Sequence, residues 1–263
     1  MGYFIGNVYS SSMLMETQLQ AILPQDGRRY VWDRRPRTLI LLHGLSDNAS
    51  TWVRLSSIER YAERYNLAVI IPEVQRSWYQ DMVYGQSPYT YIAKELPQMI
   101  SKLFRTATDR ESLMIAGWSM GGYGALKCAL SFPDSFSCCG ALSGAYDLNL
   151  LINAAGTEGA PDVLKGLGKD MKGIFGHEME IPESASIEWL IKKSYGQKGL
   201  PDIYMSCGRQ DFLYPVFDKV RMLCRSSLVK YKDEEFMGGH EWEVCDRAVE
   251  HMLDYFLGEE IRK

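Results

Sequence analysis

Three short apolar runs, Thr38-Leu-Ile-Leu-Leu42, Leu67-Ala-Val-Ile-Ile71 and Leu113-Met-Ile-Ala116, set the limits on the architecture. Successive side chains of a strand point to opposite faces, so a run apolar at every position suits a strand covered on both sides. Between these runs lie stretches with helical spacing, at about 52–64 and 88–105. Strand, helix, strand, helix is the pattern of a doubly wound α/β fold with a mostly parallel sheet. Residues 12–22 differ: Met13, Met15, Thr17, Leu19 and Ala21 alternate with mostly polar neighbours, as in a half-buried strand. With a partner at about 3–9 they predict an antiparallel pair ahead of the parallel strands. A helix at 121–131 and a strand at 137–143 follow. The Gly-rich stretch 147–200 shows no strand pattern and is expected to form a small helical, cap-like insertion carried over the sheet edge. A last strand, helix, strand, helix covers Ile203–Cys207, 215–228, Glu234–Met237 and 241–257. Nothing repeats and no linker separates two cores, so residues 1–263 are expected to form one domain.

Composition narrows the function classes. The 263 residues are 46% hydrophobic and 24% charged, ordinary globular usage that excludes disorder and coiled coil. A net charge of -4 argues against nucleic acid as a partner. Five arginines fall between Arg28 and Arg37, where a solvated hairpin turning at Asp26-Gly27 is expected. No run of about 18 apolar residues exists, so no membrane span is expected. Met1–Ser10 has neither a basic start nor an apolar h-region, and a secretory signal is not expected. The six cysteines are scattered without a CxxC pair, which fits thiols in a reducing cytoplasm rather than disulfides or zinc.

Chemistry concentrates where strands end. Gly117-Trp118-Ser119-Met120-Gly121-Gly122 stands between a buried strand and an Ala- and Leu-rich helix. That is the setting of a nucleophile elbow, whose tight turn lifts the serine above the sheet and tolerates no Cβ at its glycines. Ser119 is therefore the candidate nucleophile, and it needs a base. Of four histidines, His251 lies at an exposed helical position, His177 in the insertion, and His43 at the end of a buried strand. His240, in Met237-Gly-Gly-His240-Glu-Trp242, stands between the last strand and last helix, where the base of an α/β-hydrolase belongs. The third member is Asp211, just past Ile203–Cys207 in a loop expected beside that of His240. Asp147, past the preceding strand, is its competitor. Glu241 has no second histidine at i+4, so a metal site is not expected.

His43-Gly44-Leu45-Ser46-Asp47-Asn48 follows the first parallel strand and is placed to supply an oxyanion donor. Leu45 N–H and Met120 N–H are the candidate pair, with Asn48 and Trp52 bracing the loop. Trp78, Tyr79, Tyr84, Trp118 and Trp242 lie on or near the same loops. Of these, Trp78, Tyr84, Trp118 and Trp242 are the candidates for substrate contact, suited to a small acyl group, a flat ring or a sugar.

In order, His43-Gly44-Leu45, Asn48, Trp52, Trp78-Tyr79, Tyr84-Gly85, Glu95-Leu96-Pro97, the Gly117–Gly122 string, Gly239-His240 and Trp242 resemble the bacterial tributyrin esterase family. This family sits in the esterase D-like group of α/β-hydrolases, with S-formylglutathione hydrolases and feruloyl and acetylxylan esterases. The likeness runs from about residue 3 to 257. It implies a cytoplasmic serine carboxylesterase for short-chain acyl esters, acetyl to butyryl, including acetylated or feruloylated carbohydrates. It also implies no cofactor, frequent oligomerisation, and a triad of Ser119, Asp211 and His240. An S-formylglutathione thioesterase is the main rival. A peptidase, a lactonase, or a binding protein that has lost catalysis on the same fold stand further off.

Overall fold

Alternation within each apolar strand decides the layering. The computed structural model describes residues 1–25, 35–227 and 230–261, and the turn expected at Asp26-Gly27 lies outside them. In β3 (Arg37–Leu42), Leu39 and Leu41 face one side of the sheet while Ile40 and Leu42 face the other. Val69 and Ile71 of β4 (Leu67–Pro72) and Met114 and Ala116 of β5 (Leu113–Trp118) join the first side. That side is covered by α1 (Thr51–Leu55), α2 (Ile58–Tyr65) and α10 (Trp242–Ile261). The second side adds Cys139 and Ala141 of β6 (Cys138–Leu142) and Ile203 and Met205 of β7 (Asp202–Gly208). It is covered by α3 (Pro88–Thr90), a π turn at Tyr91–Glu95, α4 (Leu96–Leu103) and α5 (Met120–Ser131). Leu39 to Leu42 are each fully buried, and such side chains contribute about 1.5–3 kcal/mol apiece.

The sheet has eight strands in the order β1-β2-β4-β3-β5-β6-β7-β8. β1 (Gly2–Ser10) and β2 (Met15–Leu23) pair antiparallel from Gly2↔Leu23 to Ser10↔Met15, and β2 lies antiparallel to β4. The remaining strands, ending in β8 (Tyr231–Phe236), run parallel. The Glu95 carboxylate fastens the β1–β2 turn by accepting Ser10 Oγ–H at 2.7 Å and the N–H groups of Ser11 and Ser12 at 2.8 and 2.9 Å. The helix expected over 52–64 is two helices, because Ser56 takes extended backbone angles of -130° and 173° between them.

From β3 the chain goes to β4 on one side and then to β5 on the other. The carboxyl ends of β3 and β5 therefore flank a point where the loops diverge, which is where α/β sheets open a crevice. Residues 147–200 connect the neighbours β6 and β7 through α6 (Leu148–Ala155), α7 (Leu167–Phe175) and α8 (Ile187–Lys193), before α9 (Tyr214–Ser227). Here α7 reaches the loop after β4. Arg76 Nε and Nη2 donate to Asp170 Oδ2 at 3.0 and 2.7 Å, and Val83 and Tyr84 N–H donate to Ile174 and Gly173 carbonyls. No helix among the described residues is long and apolar enough to cross a membrane.

Candidate active site

Ser119 joins β5 to α5 with φ 59° and ψ -118°, a strained geometry for a residue with a Cβ. The glycines around it are required by close approach. A Cβ at Gly121 would lie 2.3 Å from Leu42 O, and one at Gly117 would lie 2.4 Å from Gly121 O. The helix thus begins hard against the end of β3, and Ser119 is held by Ser119 N–H to Leu142 O at 3.0 Å.

Two other loops converge on it. β7 and β8 are neighbours, and their following loops are laced together by Arg209 N–H to Phe236 O, Gln210 N–H to Gly238 O, and Gly238 N–H to Gln210 Oε1. That lacing brings Asp211 to His240. His240 Nδ1 lies 2.7 Å from Asp211 Oδ2, and His240 Nε2 lies 3.0 Å from Ser119 Oγ. Asp211 is 4% exposed, and its other oxygen accepts Leu213 N–H at 2.8 Å. With Nδ1–H donated to the carboxylate, the Nε2 lone pair is left to accept the serine hydroxyl. The buried Cys207 thiol beside Asp211 is pushed up by burial first and then by that carboxylate, so it stays neutral. Asp147, the competing acid, instead caps α6 by accepting Leu150 N–H at 3.0 Å.

His43 is fully buried and shapes the loop after β3. Its Nδ1–H donates to Gly44 O at 2.9 Å, and its Nε2 accepts Val74 N–H at 3.3 Å. Gly44 O also accepts Asp47 N–H, so the Gly44–Leu45 peptide is pinned by its oxygen, while Leu45 N–H donates to no group among the described residues. Met120 opens α5, so its N–H has no carbonyl one turn back to bond. Asn48 Oδ1 accepts Ser50 N–H, and Trp52 Nε1 donates to Leu42 O at 3.0 Å, both bracing this loop. The Asp47 carboxyl is raised by burial, its neighbours His43 and His240 only partly opposing that rise.

The candidate substrate-contact aromatics fall in three different places. Trp118 stacks on His240, with ring centroids 4.5 Å apart and planes 20° apart, and Trp242 packs on Trp118 at 4.8 Å. Trp118 thus walls the histidine, with Trp242 behind it. Trp78 is 1% exposed and packs edge-on against Tyr123, so it presents no surface to a ligand. Tyr84 is 68% exposed on the loop fastened to α7. Residue patterns missed Phe212, whose ring lies 4.9 Å from that of His240 and tilted 59° to it; its place directly after Asp211 is the signal that marks it. His251 pairs with Glu234 at the surface, and His177 is exposed.

The model of the Esterase family matches residues 10–253. The chain belongs to the Esterase family. This esterase is 27% identical over 260 residues to the acetyl esterase of Caldicellulosiruptor saccharolyticus, covering 95% of this chain and 96% of that one. It resembles the fluorophosphonate-binding serine hydrolase F of Staphylococcus aureus, solved with substrate bound. Identity there is 34%, coverage 97% and 98% of the two chains, and the TM-score 0.83. S-formylglutathione hydrolase (FrmB) of Staphylococcus aureus, solved as apoenzyme, is likewise 34% identical, with coverage 97% and 98% and a TM-score of 0.80. The esterase has the α/β-hydrolase fold and is a carboxylic ester hydrolase of the serine hydrolase class.

Proposed function

We propose that the protein hydrolyses short-chain acyl esters, acetyl to butyryl, through an acyl-enzyme on Ser119. The observation that carries this is the unbroken chain from Ser119 Oγ to His240 Nε2 at 3.0 Å and from Nδ1 to Asp211 Oδ2 at 2.7 Å. Ser119 attacks the ester carbonyl as His240 takes its proton, and Asp211 holds the imidazole and offsets its charge. Leu45 and Met120 N–H groups meet the oxyanion, and Trp118, itself backed by Trp242, and Phe212 pack against the imidazole ring. His240 then protonates the departing alcohol, and water activated by the same nitrogen releases the acid.

Acetylated carbohydrates are the favoured natural esters, in keeping with the acetyl esterase relative. Cytoplasmic work suits the six unpaired thiols, five of them buried. Self-association belongs to the same reading, and the apolar exposed side chains of β1 support it. A thioesterase acting on S-formylglutathione is the second reading, favoured by the likeness to FrmB at 34% identity. Rates on naphthyl acetate, acetylated xylooligosaccharides and S-formylglutathione decide between them. Ser119→Ala should lower nitrophenyl acetate turnover by about six orders of magnitude with an unchanged circular dichroism spectrum. Retained turnover in that variant removes Ser119 from the mechanism.

A further inference from the structure

Lys127 lies on α5, two turns after Ser119, with 3% of its surface exposed. Among the described residues no carboxylate lies within salt-bridge distance of it. Its Nζ instead donates to Tyr79 O at 3.1 Å and to Gln80 Oε1, and sits 3.7 Å from the centre of the Tyr89 ring. A buried ammonium without a carboxylate is costly, so it needs these partners to persist.

Its partners are themselves unusual. Trp78 and Tyr79 are consecutive non-glycine residues with φ of 53° and 50°, a conformation that side chains rarely adopt twice in succession. The Tyr79 ring packs against α5 where a Cβ at Gly124 would come within 2.4 Å of its Cδ2. From that slot the Tyr79 hydroxyl donates to His43 O at 2.8 Å. The His43 carbonyl belongs to the peptide just before the Gly44–Leu45 peptide, whose own oxygen is pinned by His43 Nδ1–H and Asp47 N–H. Two successive peptide planes are therefore fixed, and the Leu45 N–H is aimed by both.

We propose that Tyr79, locked in its left-handed conformation by Lys127, is a positioning residue that aims the Leu45 amide at the oxyanion. The proposal rests on the acyl-enzyme reading above. Rigid aim matters because such a donor works only where the developing charge arrives, and a small misplacement costs rate rather than ground-state binding. The same lysine joins a second branch. Gln80 Nε2 donates to Tyr123 OH at 2.6 Å, and Tyr123 OH donates to Ala185 O at 2.7 Å, which ties the loop to the segment before α8.

The test is Tyr79→Phe, which removes one oxygen and keeps the ring. For nitrophenyl acetate, kcat should fall about tenfold with KM within twofold. Affinity for a trifluoromethyl ketone, whose serine adduct carries the oxyanion, should fall by the same factor. Lys127→Met leaves the hydroxyl in place and should give the same split in smaller measure, which covers a Tyr79→Phe chain that fails to fold. Wild-type kcat and ketone affinity in both variants, with only the melting temperature lowered, overturns the positioning role, as does a rise in KM alone. Fluorophosphonate labelling of Ser119 in the wild type separates the two levels. Its absence refutes the acyl-enzyme reading itself, whereas labelling with unaltered variants refutes only Tyr79.

Discussion

His240 meets a carboxylate at one nitrogen, a hydroxyl at the other, and aromatic rings from Trp118 and Phe212. Only one tautomer satisfies that arrangement, and Asp211 selects it. Asp211→Asn would present an amide N–H to Nδ1, forcing the proton to Nε2, where it blocks acceptance of the serine hydroxyl. Turnover should fall by about 10⁴-fold while the melting temperature stays close to wild type, as steady-state kinetics and calorimetry would register. The meeting of Ser119, His240 and Asp211 was legible because each follows a strand end, where backbone direction reverses and side chains emerge at one rim. The placement of the aromatics was not. Trp78 and Trp118 both follow or end buried strands, yet one is sealed in the core and the other backs the imidazole. A lining aromatic and a packing aromatic carry the same local pattern, and three-dimensional neighbours alone separate them.

At the scale of elements, α5 combines tasks that pull against each other. Its first turn presents free N–H groups to the site, and eleven of its residues are buried, Lys127 among them. Burial holds the Lys127 ammonium down from an ordinary 10.5 to about 8. Between those two values the unfolded chain keeps the proton that the native chain has released, so raising pH through this window favours the native state. That contribution is complete above 10.5 and is lost as pH falls through about 8. The neutral amine still has two N–H donors for its two oxygen partners, Tyr79 O and Gln80 Oε1. Measured against Lys127→Met, which has no such proton, the wild type should gain melting temperature between pH 8 and pH 10.5. A constant difference across that range would contradict the burial of a charged amine. Strands β3, β4 and β5 were legible because apolar residues on both faces leave few alternatives. The break at Ser56 and the individual bounds of the helices inside 147–200 were less so. A single residue leaving helical angles writes no periodic signal, and α7 is fixed by distant partners such as Arg76.

Across the whole molecule the two borders of the sheet are built differently. β8 carries Lys232, Asp233, Glu234 and Glu235, and charged side chains discourage further strand addition. β1, Gly2-Tyr-Phe-Ile-Gly-Asn-Val-Tyr-Ser10, has no charge and no proline, and Tyr3, Phe4, Ile5 and Tyr9 are 40–62% exposed. Such a strand invites a partner. Sedimentation at micromolar concentration should show a dimer, and Ile5→Lys should return it to monomer with esterase activity per chain unchanged; a wild type that stays monomeric refutes the pairing. Two copies joined β1 to β1 about a twofold axis would share one continuous sheet of twice eight strands, bounded at each end by β8. Both termini of that ribbon would then repel newcomers. Growth would stop at two, because the uncharged one of the sheet's two borders is consumed in the first encounter.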